Sequence, residues 1–266
     1  MRQISDAEKA ALIERYAGRY SVPFCSYGTV EDYCDSCDHL PWLSSVQNDL
    51  KDLQRPWTIK ATLDLLPPPA RLLEIGAGEP LVAAYLVQLG YEVTVVDPYD
   101  GSGGGPQDFE LFMQTYPEVR IIRAPFQAGL PELSGVTFDG IYSISVLEHV
   151  PKAGLANLFE GLSRHLRIGG YSFHSVDCVS EGVGAQHHFQ QCLIIVSHQC
   201  AIAGRPPLQK YDLSALLRRA DHDLETCYLS AAGHNLWRTG ANYEAFPFRK
   251  VLSIQFAAKT QTKVVV

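Results

Sequence analysis

No stretch of this chain reaches the roughly 18 consecutive apolar residues that a membrane-spanning helix needs. Its opening, "MRQISDAEKAALIERYAGRY", holds no apolar core of signal-peptide length. A cytoplasmic protein without a membrane partner is therefore expected. Surplus positive charge is missing as well: the formal net charge is -7, whereas gripping phosphate backbones usually takes a basic face, so no nucleic-acid partner is expected. The cysteines, seven in number and irregularly spaced, form no disulfide framework and suit a reducing compartment. Cys34 and Cys37 form one C-x-x-C pair with His39 close by, but a second pair is lacking. A zinc site calls for about four ligands, so no metal is expected. Internal repeats and long low-complexity segments are also absent.

What remains is an ordinary globular composition, 46% hydrophobic and 19% charged over 266 residues. That length suits one large α/β domain, or a domain with an attached cap. Residues 5–18 read as a helix opened by a capping box between Ser5 and Glu8. A second helical pattern at 43–66 stops at three prolines, residues 67–69, which cannot continue it. Residues 1–66 are thus expected to be a helical cap and 67–266 the main domain.

From Arg71 strands and helices alternate. "RLLEI", "YEVTVVD", "VRIIRA", "FDGIYSISVL" and "GGYSFHSVD" read as strands, with helices over "PLVAAYLVQLG", about 107–116 and 153–167 between them. This rhythm predicts right-handed crossovers and a doubly wound, mainly parallel sheet. It breaks after Asp177, giving an expected acceptor-side insertion at about 178–210, and resumes with a helix at 212–220 and strands near 225–230 and 250–258.

In such a sheet the first strand and turn usually supply the ligand cradle. Here that place is Glu74 to Gly78, where glycines permit a tight turn and close approach to the backbone. A dinucleotide fingerprint would want a third glycine three residues after the second, and Leu81 stands there. Asp97, nineteen residues past Gly78, ends the second strand, where a carboxylate can accept bonds from ribose hydroxyls. Glu74 would repel a pyrophosphate but suits a phosphate-free, cationic ligand such as S-adenosylmethionine.

With "LLEIGAGEP", "VTVVDPYD", "FDGIYSISVLEHV" and "LRIGGYSFHSVD" in this order and spacing, the chain resembles the class I S-adenosylmethionine-dependent methyltransferases over residues 70–177, and more weakly to 260. The resemblance implies a Rossmann-like, seven-stranded sheet with "VLSIQFAAKT" as an antiparallel last strand. It also implies S-adenosyl-L-methionine as cofactor. Gly76, Ala77 and Gly78 would line the methionine end beside Glu74, Asp97 would hold the ribose with Pro98 on the cofactor side next to it, and the "SVLEHV" segment with Val146 would pack along the cofactor. Many members carry an acidic or small polar residue after the third strand for the adenine amine. This chain reads "IIRAPFQ" there, leaving backbone groups around Arg123 and Ala124, or stacking by Phe126.

Methyl transfer mainly demands orientation of the acceptor and, for a hydroxyl acceptor, removal of a proton. His149, after the fourth strand, and His187 and His188, after the fifth, are the candidate bases. His174 lies mid-strand and reads as a core histidine, whereas Asp177 could orient an acceptor or cap the next element. Aromatics in the cap and after Asp177, including Tyr20, Phe24, Trp42 and Phe189, could line an organic acceptor's pocket. The expected function is methylation of a small molecule at oxygen, nitrogen or carbon. The alternatives are a non-catalytic cofactor-binding or interaction protein and an NAD(P)-dependent oxidoreductase.

Overall fold

The computed structural model describes residues 1–44, 49–102, 105–207, 210–230, 233 and 248–261. Helix α1 (Asp6–Tyr16) opens with the expected capping box, the Glu8 amide donating to Ser5 Oγ at 3.3 Å and the Ser5 amide to Glu8 Oε2 at 2.8 Å. Next come β1 (Cys25–Tyr27), α2 (Val30–His39), α3 (Pro41–Ser44) and α4 (Lys51–Leu65). The single helix expected over 43–66 is therefore α4 preceded by the end of α3, with residues 45–48 outside the described residues.

The alternating region runs β2 (Arg71–Ile75), α5 (Leu81–Gln88), β3 (Glu92–Asp97), α6 (Phe109–Thr115), β4 (Arg120–Arg123), β5 (Phe138–Ile144), α7 (Lys152–His165) and β6 (Leu166–Gly182). It continues through α8 (Ala185–Ile202), α9 (Lys210–His222) and β7 (Phe248–Lys259). Among the described residues the strands form one seven-stranded sheet in the order β1-β7-β6-β5-β2-β3-β4. Strands β2 to β6 run parallel to one another, whereas β7 pairs antiparallel with both β6 and β1. The mainly parallel sheet and the reversed last strand agree with the sequence expectation.

The chain moves outward from β2 through β3 to β4, then crosses to the other side of β2 and continues through β5 and β6. The order therefore reverses between β2 and β5, and a ligand crevice is expected outside their carboxyl ends. Each sheet face carries its own apolar layer. One joins Ile75 and Ile141 to Leu158, Leu162, Ile195 and Leu213 from α7, α8 and α9, and the other joins Leu72 and Phe173 to Trp57, Leu63, Val82 and Tyr85 from α4 and α5.

Three expectations change. The strand expected near 225–230 reduces to single bridges, Thr29 with Thr226 and Tyr228 with Leu252. The seventh place in the sheet belongs to β1, whose Cys25, Ser26 and Tyr27 face Phe256, Gln255 and Ile254. The break expected after Asp177 is absent: β6 extends to Gly182 and α8 follows, its Cys192, Ile195 and Val196 buried in the core. The boundary at residue 66 does not separate two cores, because Trp57, Ile59 and Leu63 of α4 pack in the same layer as Leu72 and Tyr142.

Candidate active site

A cavity of about 660 Å³ opens at the carboxyl ends of β2, β3 and β5. It is lined by Glu74, Gly76, Ala77, Gly78, Asp97, Pro98, Val146 and His149, eight positions singled out in the sequence. The glycine turn holds its shape for local reasons. Gly76 sits at φ +68, where a Cβ would stand 2.8 Å from the Val146 methyl groups, so a larger residue would both strain the backbone and collide. Gly78, at φ +56, donates its amide to Asp97 Oδ2 at 2.9 Å, and the Tyr99 amide donates to Oδ1 at 2.8 Å. The Asp97 carboxylate is thus fixed by backbone at the floor of the cavity and keeps lone pairs for a ligand. Burial raises its pKa above the usual carboxylate range, against the pull of those two amides.

Glu74 differs from the ionised group expected. Only 2% of it is exposed, and burial pushes its pKa up to about 8 although the Tyr142 hydroxyl donates to Oε2 at 3.0 Å. Without a ligand the group is largely protonated at neutral pH, and an arriving cation would favour its ionisation.

Near the turn stands Arg55 of α4, which sequence reading missed. It is 7% exposed, its Nη1 is buried without a partner, and its Nη2 lies 4.0 Å from Glu79 Oε2. A guanidinium only donates, so this side chain is open to a carboxylate. No motif marks it; it reaches the cavity because α4 lies on the sheet. Lys51, one turn earlier on the same helix, also lines the wall. So do Gly101, Ser102, Gly105 and Pro106, with Pro106 Cδ only 3.5 Å from where a Gly78 Cβ would lie. At the far end Phe126 and Gln127 line the cavity, whereas Arg123 turns outward to Glu110 at 3.5 Å.

Beyond β5 a short 3-10 turn, Leu147–His149, brings His149 to the rim. The imidazole is exposed toward the cavity, yet desolvation by its walls holds its pKa below the usual value, Lys51 adding to the shift and Asp177 opposing it. Beneath it lies a polar cluster. Asp177 accepts from Gln54 Nε2 at 2.8 Å and from Ser145 Oγ at 2.9 Å, while its amide donates to Glu148 Oε1 at 2.7 Å. Burial, with the Asp177 charge adding to it, raises the Glu148 pKa well above the usual range, so Glu148 holds a proton.

His187 and His188 do not line the cavity. His187 is exposed in the first turn of α8, and His188 donates Nδ1–H to the Asp177 carbonyl at 2.9 Å, behind the cavity wall. His174 is buried with Ser143 and Ser172 hydroxyls 2.8 Å from its two ring nitrogens, and desolvation lowers its pKa to about 3. Asp177 caps no helix; it is the hub of the polar cluster. Of the aromatics considered for the acceptor pocket, Tyr20 and Phe24 line other concavities and Trp42 packs on Tyr85. Among the described residues no three His, Cys, Asp or Glu side chains are grouped to hold a metal ion. No helix among them is long and apolar enough to cross a membrane.

A family profile described as "Methyltransferase domain" matches residues 51–225, well over half of the chain and including α4. Among solved structures, the chain is 17% identical to the glycopeptide N-methyltransferase MtfA complexed with (S)-adenosyl-L-methionine, over 42% of this chain and 50% of that one, at a TM-score of 0.36. It is 18% identical to 1,6-didemethyltoxoflavin-N1-methyltransferase of Burkholderia thailandensis, over 98% and 93% of the two chains, at a TM-score of 0.44. It is also 18% identical to a TehB-like SAM-dependent methyltransferase from Corynebacterium glutamicum, over 87% and 98%, at a TM-score of 0.42. The chain spans about half the length of the glycopeptide enzyme. No curated protein sequence is significantly similar to it. On the extent of the family match, the chain belongs to the methyltransferase-domain family.

Proposed function

We propose that this protein binds S-adenosyl-L-methionine in the cavity at the ends of β2, β3 and β5 and transfers its methyl group to a small organic molecule. One observation carries the reading. A backbone-fixed carboxylate (Asp97), an acid that a cation would ionise (Glu74) and a buried guanidinium whose Nη1 has no hydrogen-bond partner (Arg55) line one cavity around the glycine turn. These match, in turn, a ribose diol, a cationic centre and an amino-acid carboxylate. Phe126 supplies an apolar face for adenine, and Val146, packed against Gly76, shapes the wall between.

A pyrophosphate fits the same residues poorly. Glu74 and Glu79 flank the turn, and Leu81 begins α5 where close helix packing would want glycine. When bound, the cofactor supplies an electrophilic methyl group on a sulfonium. The protein's part is then to hold the acceptor in line, exclude water and accept a proton. His149 is the group proposed to accept it, because its imidazole is neutral at pH 7 and faces the cavity. His187 has no comparable place, and His188 acts at most through Asp177. A cytoplasmic setting belongs to the same proposal, consistent with seven cysteines that form no disulfide.

Calorimetry with S-adenosylmethionine, S-adenosylhomocysteine and NAD tests the reading. The two sulfur compounds should bind and NAD should not; binding of NAD alone overturns it. Transfer of a labelled methyl group to members of a metabolite panel then separates an enzyme from a cofactor-binding protein.

A further inference from the structure

Ser145 follows the last residue of β5 with a left-handed backbone, φ +54, that non-glycine residues rarely adopt. Such a conformation costs about 1–3 kcal/mol and persists only where the surroundings impose it. Here the Ser145 amide donates to the Ser175 carbonyl at 2.9 Å, and its hydroxyl donates to Asp177 Oδ2 at 2.9 Å. Asp177 is in turn held by Gln54 at 2.8 Å. A hydroxyl has one proton, and this one points inward to the Asp177 carboxylate, which is 6% exposed, with Glu148 as its other acidic neighbour. Ser145 lines the cavity, so what it presents there is its lone pairs. A group that offers only lone pairs selects a partner bearing a proton, an N–H or an O–H.

The second constraint comes from charge. Helix α4 brings two cations to the cavity, Lys51 and Arg55, and the proposed cofactor carries one carboxylate. Arg55, beside Glu79 and near Glu74, is placed at the glycine turn for that carboxylate. Lys51 stands instead near His149, close enough for its charge to depress the imidazole pKa. Its ammonium feels the nearby Asp49 charge but forms no ion pair among the described residues, and we assign it to a second anion.

We infer that Ser145 and Lys51 define the acceptor as a small molecule carrying an N–H or O–H nucleophile together with an anionic group such as a carboxylate. Ser145 Oγ receives the proton-bearing atom and holds it at the end of β5, beside Val146 and the glycine turn. Lys51 pairs with the anion and keeps a cationic amine from competing for the place. The inference rests on the methyltransferase reading.

The test uses the full chain saturated with S-adenosylhomocysteine and titrated by calorimetry with three probes. A hydroxybenzoate, taken as the better of the 3- and 4-isomers, carries donor and anion; phenol carries the donor alone and benzoate the anion alone. Hydroxybenzoate should bind at least tenfold more tightly than either of the others. Ser145→Gly, which suits the backbone while removing the hydroxyl, should bring hydroxybenzoate down to the affinity of benzoate and leave benzoate unchanged. Lys51→Met should weaken both carboxylates and leave phenol unchanged. Both variants should bind S-adenosylhomocysteine within twofold of the parent. The inference is overturned if no probe binds, if hydroxybenzoate gains nothing over phenol and benzoate, or if either variant loses S-adenosylhomocysteine instead. Failure of the unaltered protein to bind S-adenosylhomocysteine at all would sink the methyltransferase reading itself, a distinguishable result.

Discussion

The Gly78 amide donates to Asp97 Oδ2 at 2.9 Å, tying the turn after β2 to the end of β3. Those two places are nineteen residues apart, and the parallel register that aligns Ile75 with Val96 brings them together. The bond fixes the carboxylate while leaving each oxygen a lone pair toward the cavity.

Replacing Asp97 should therefore cost affinity more than fold. Hydrogen bonds to a charged group contribute about 1.5–3 kcal/mol, so Asp97→Ala should raise the dissociation constant for S-adenosylhomocysteine by one to two orders of magnitude in calorimetry. An unchanged constant would place the ribose elsewhere.

With the cofactor placed as proposed, its binding should be proton-linked through Glu74. The Glu74 pKa is raised from 4.5 to about 8, so between those values the folded, ligand-free protein holds a proton that the unfolded chain has released. Stability of the free protein should accordingly fall as pH rises through that window. Affinity for S-adenosylmethionine should rise up to about pH 8, by at most tenfold per pH unit for one proton, and then level off. Glu74→Gln should flatten the protein's share of both trends, which separates it from titration of the ligand's own amino group. Melting curves and calorimetry across pH 6 to 9 check this, and a variant that keeps the parent's slope would refute it.

The His149 pKa is shifted in the opposite direction to that of Glu74. It lies below the ordinary imidazole value, so turnover should be full at pH 7 and be lost as pH falls through that lowered pKa. Lys51→Met removes a charge that depresses it and should move the acid limb to higher pH; Asp177→Asn removes one that raises it and should move the limb lower. His149→Gln should reduce kcat by about 10² or more, as expected for loss of a general base. A pH profile that ignores all three substitutions would remove His149 from the chemistry.

The N-terminal helices rest on a buried charge. Lys60 is fully buried and donates to Asp32 Oδ1, to Asp35 Oδ2 at 3.2 Å and to Ser36 Oγ at 2.9 Å. Lys60→Met would leave the two carboxylates facing each other, with Arg15 compensating only Asp35. Breaking a buried pair costs about 3–5 kcal/mol, a loss that urea denaturation would detect. Affinity for S-adenosylhomocysteine in the surviving folded protein should not change.

Much of the fold could be read from local pattern. The apolar runs of β2 and β3, the proline and glycine around α5 and the Ser5–Glu8 capping box are each encoded within a few residues. The α8 segment was not legible because its buried stripe, Gln191, Cys192, Ile195, Val196, Gln199 and Cys200, includes two glutamines. Their NH2 groups donate only across the fold, to the Val150 carbonyl and the Ser172 hydroxyl, each at 2.9 Å. Strand β1, with three residues, is too short to show a period of two.

The sequence by itself determined the doubly wound sheet and the glycine-turn wall of the cavity, because Glu74, Gly76, Gly78 and Asp97 are placed by strands and turns whose signals lie in neighbouring residues. Only the tertiary structure decided the rest of the wall. Lys51 and Arg55 come from a helix before the first motif, and Ser145 gains its meaning from Asp177 on the next strand. Burial decided the charge states: Glu74 and Glu148 are ordinary acids in the sequence, and desolvation by residues distant along the chain makes both proton holders.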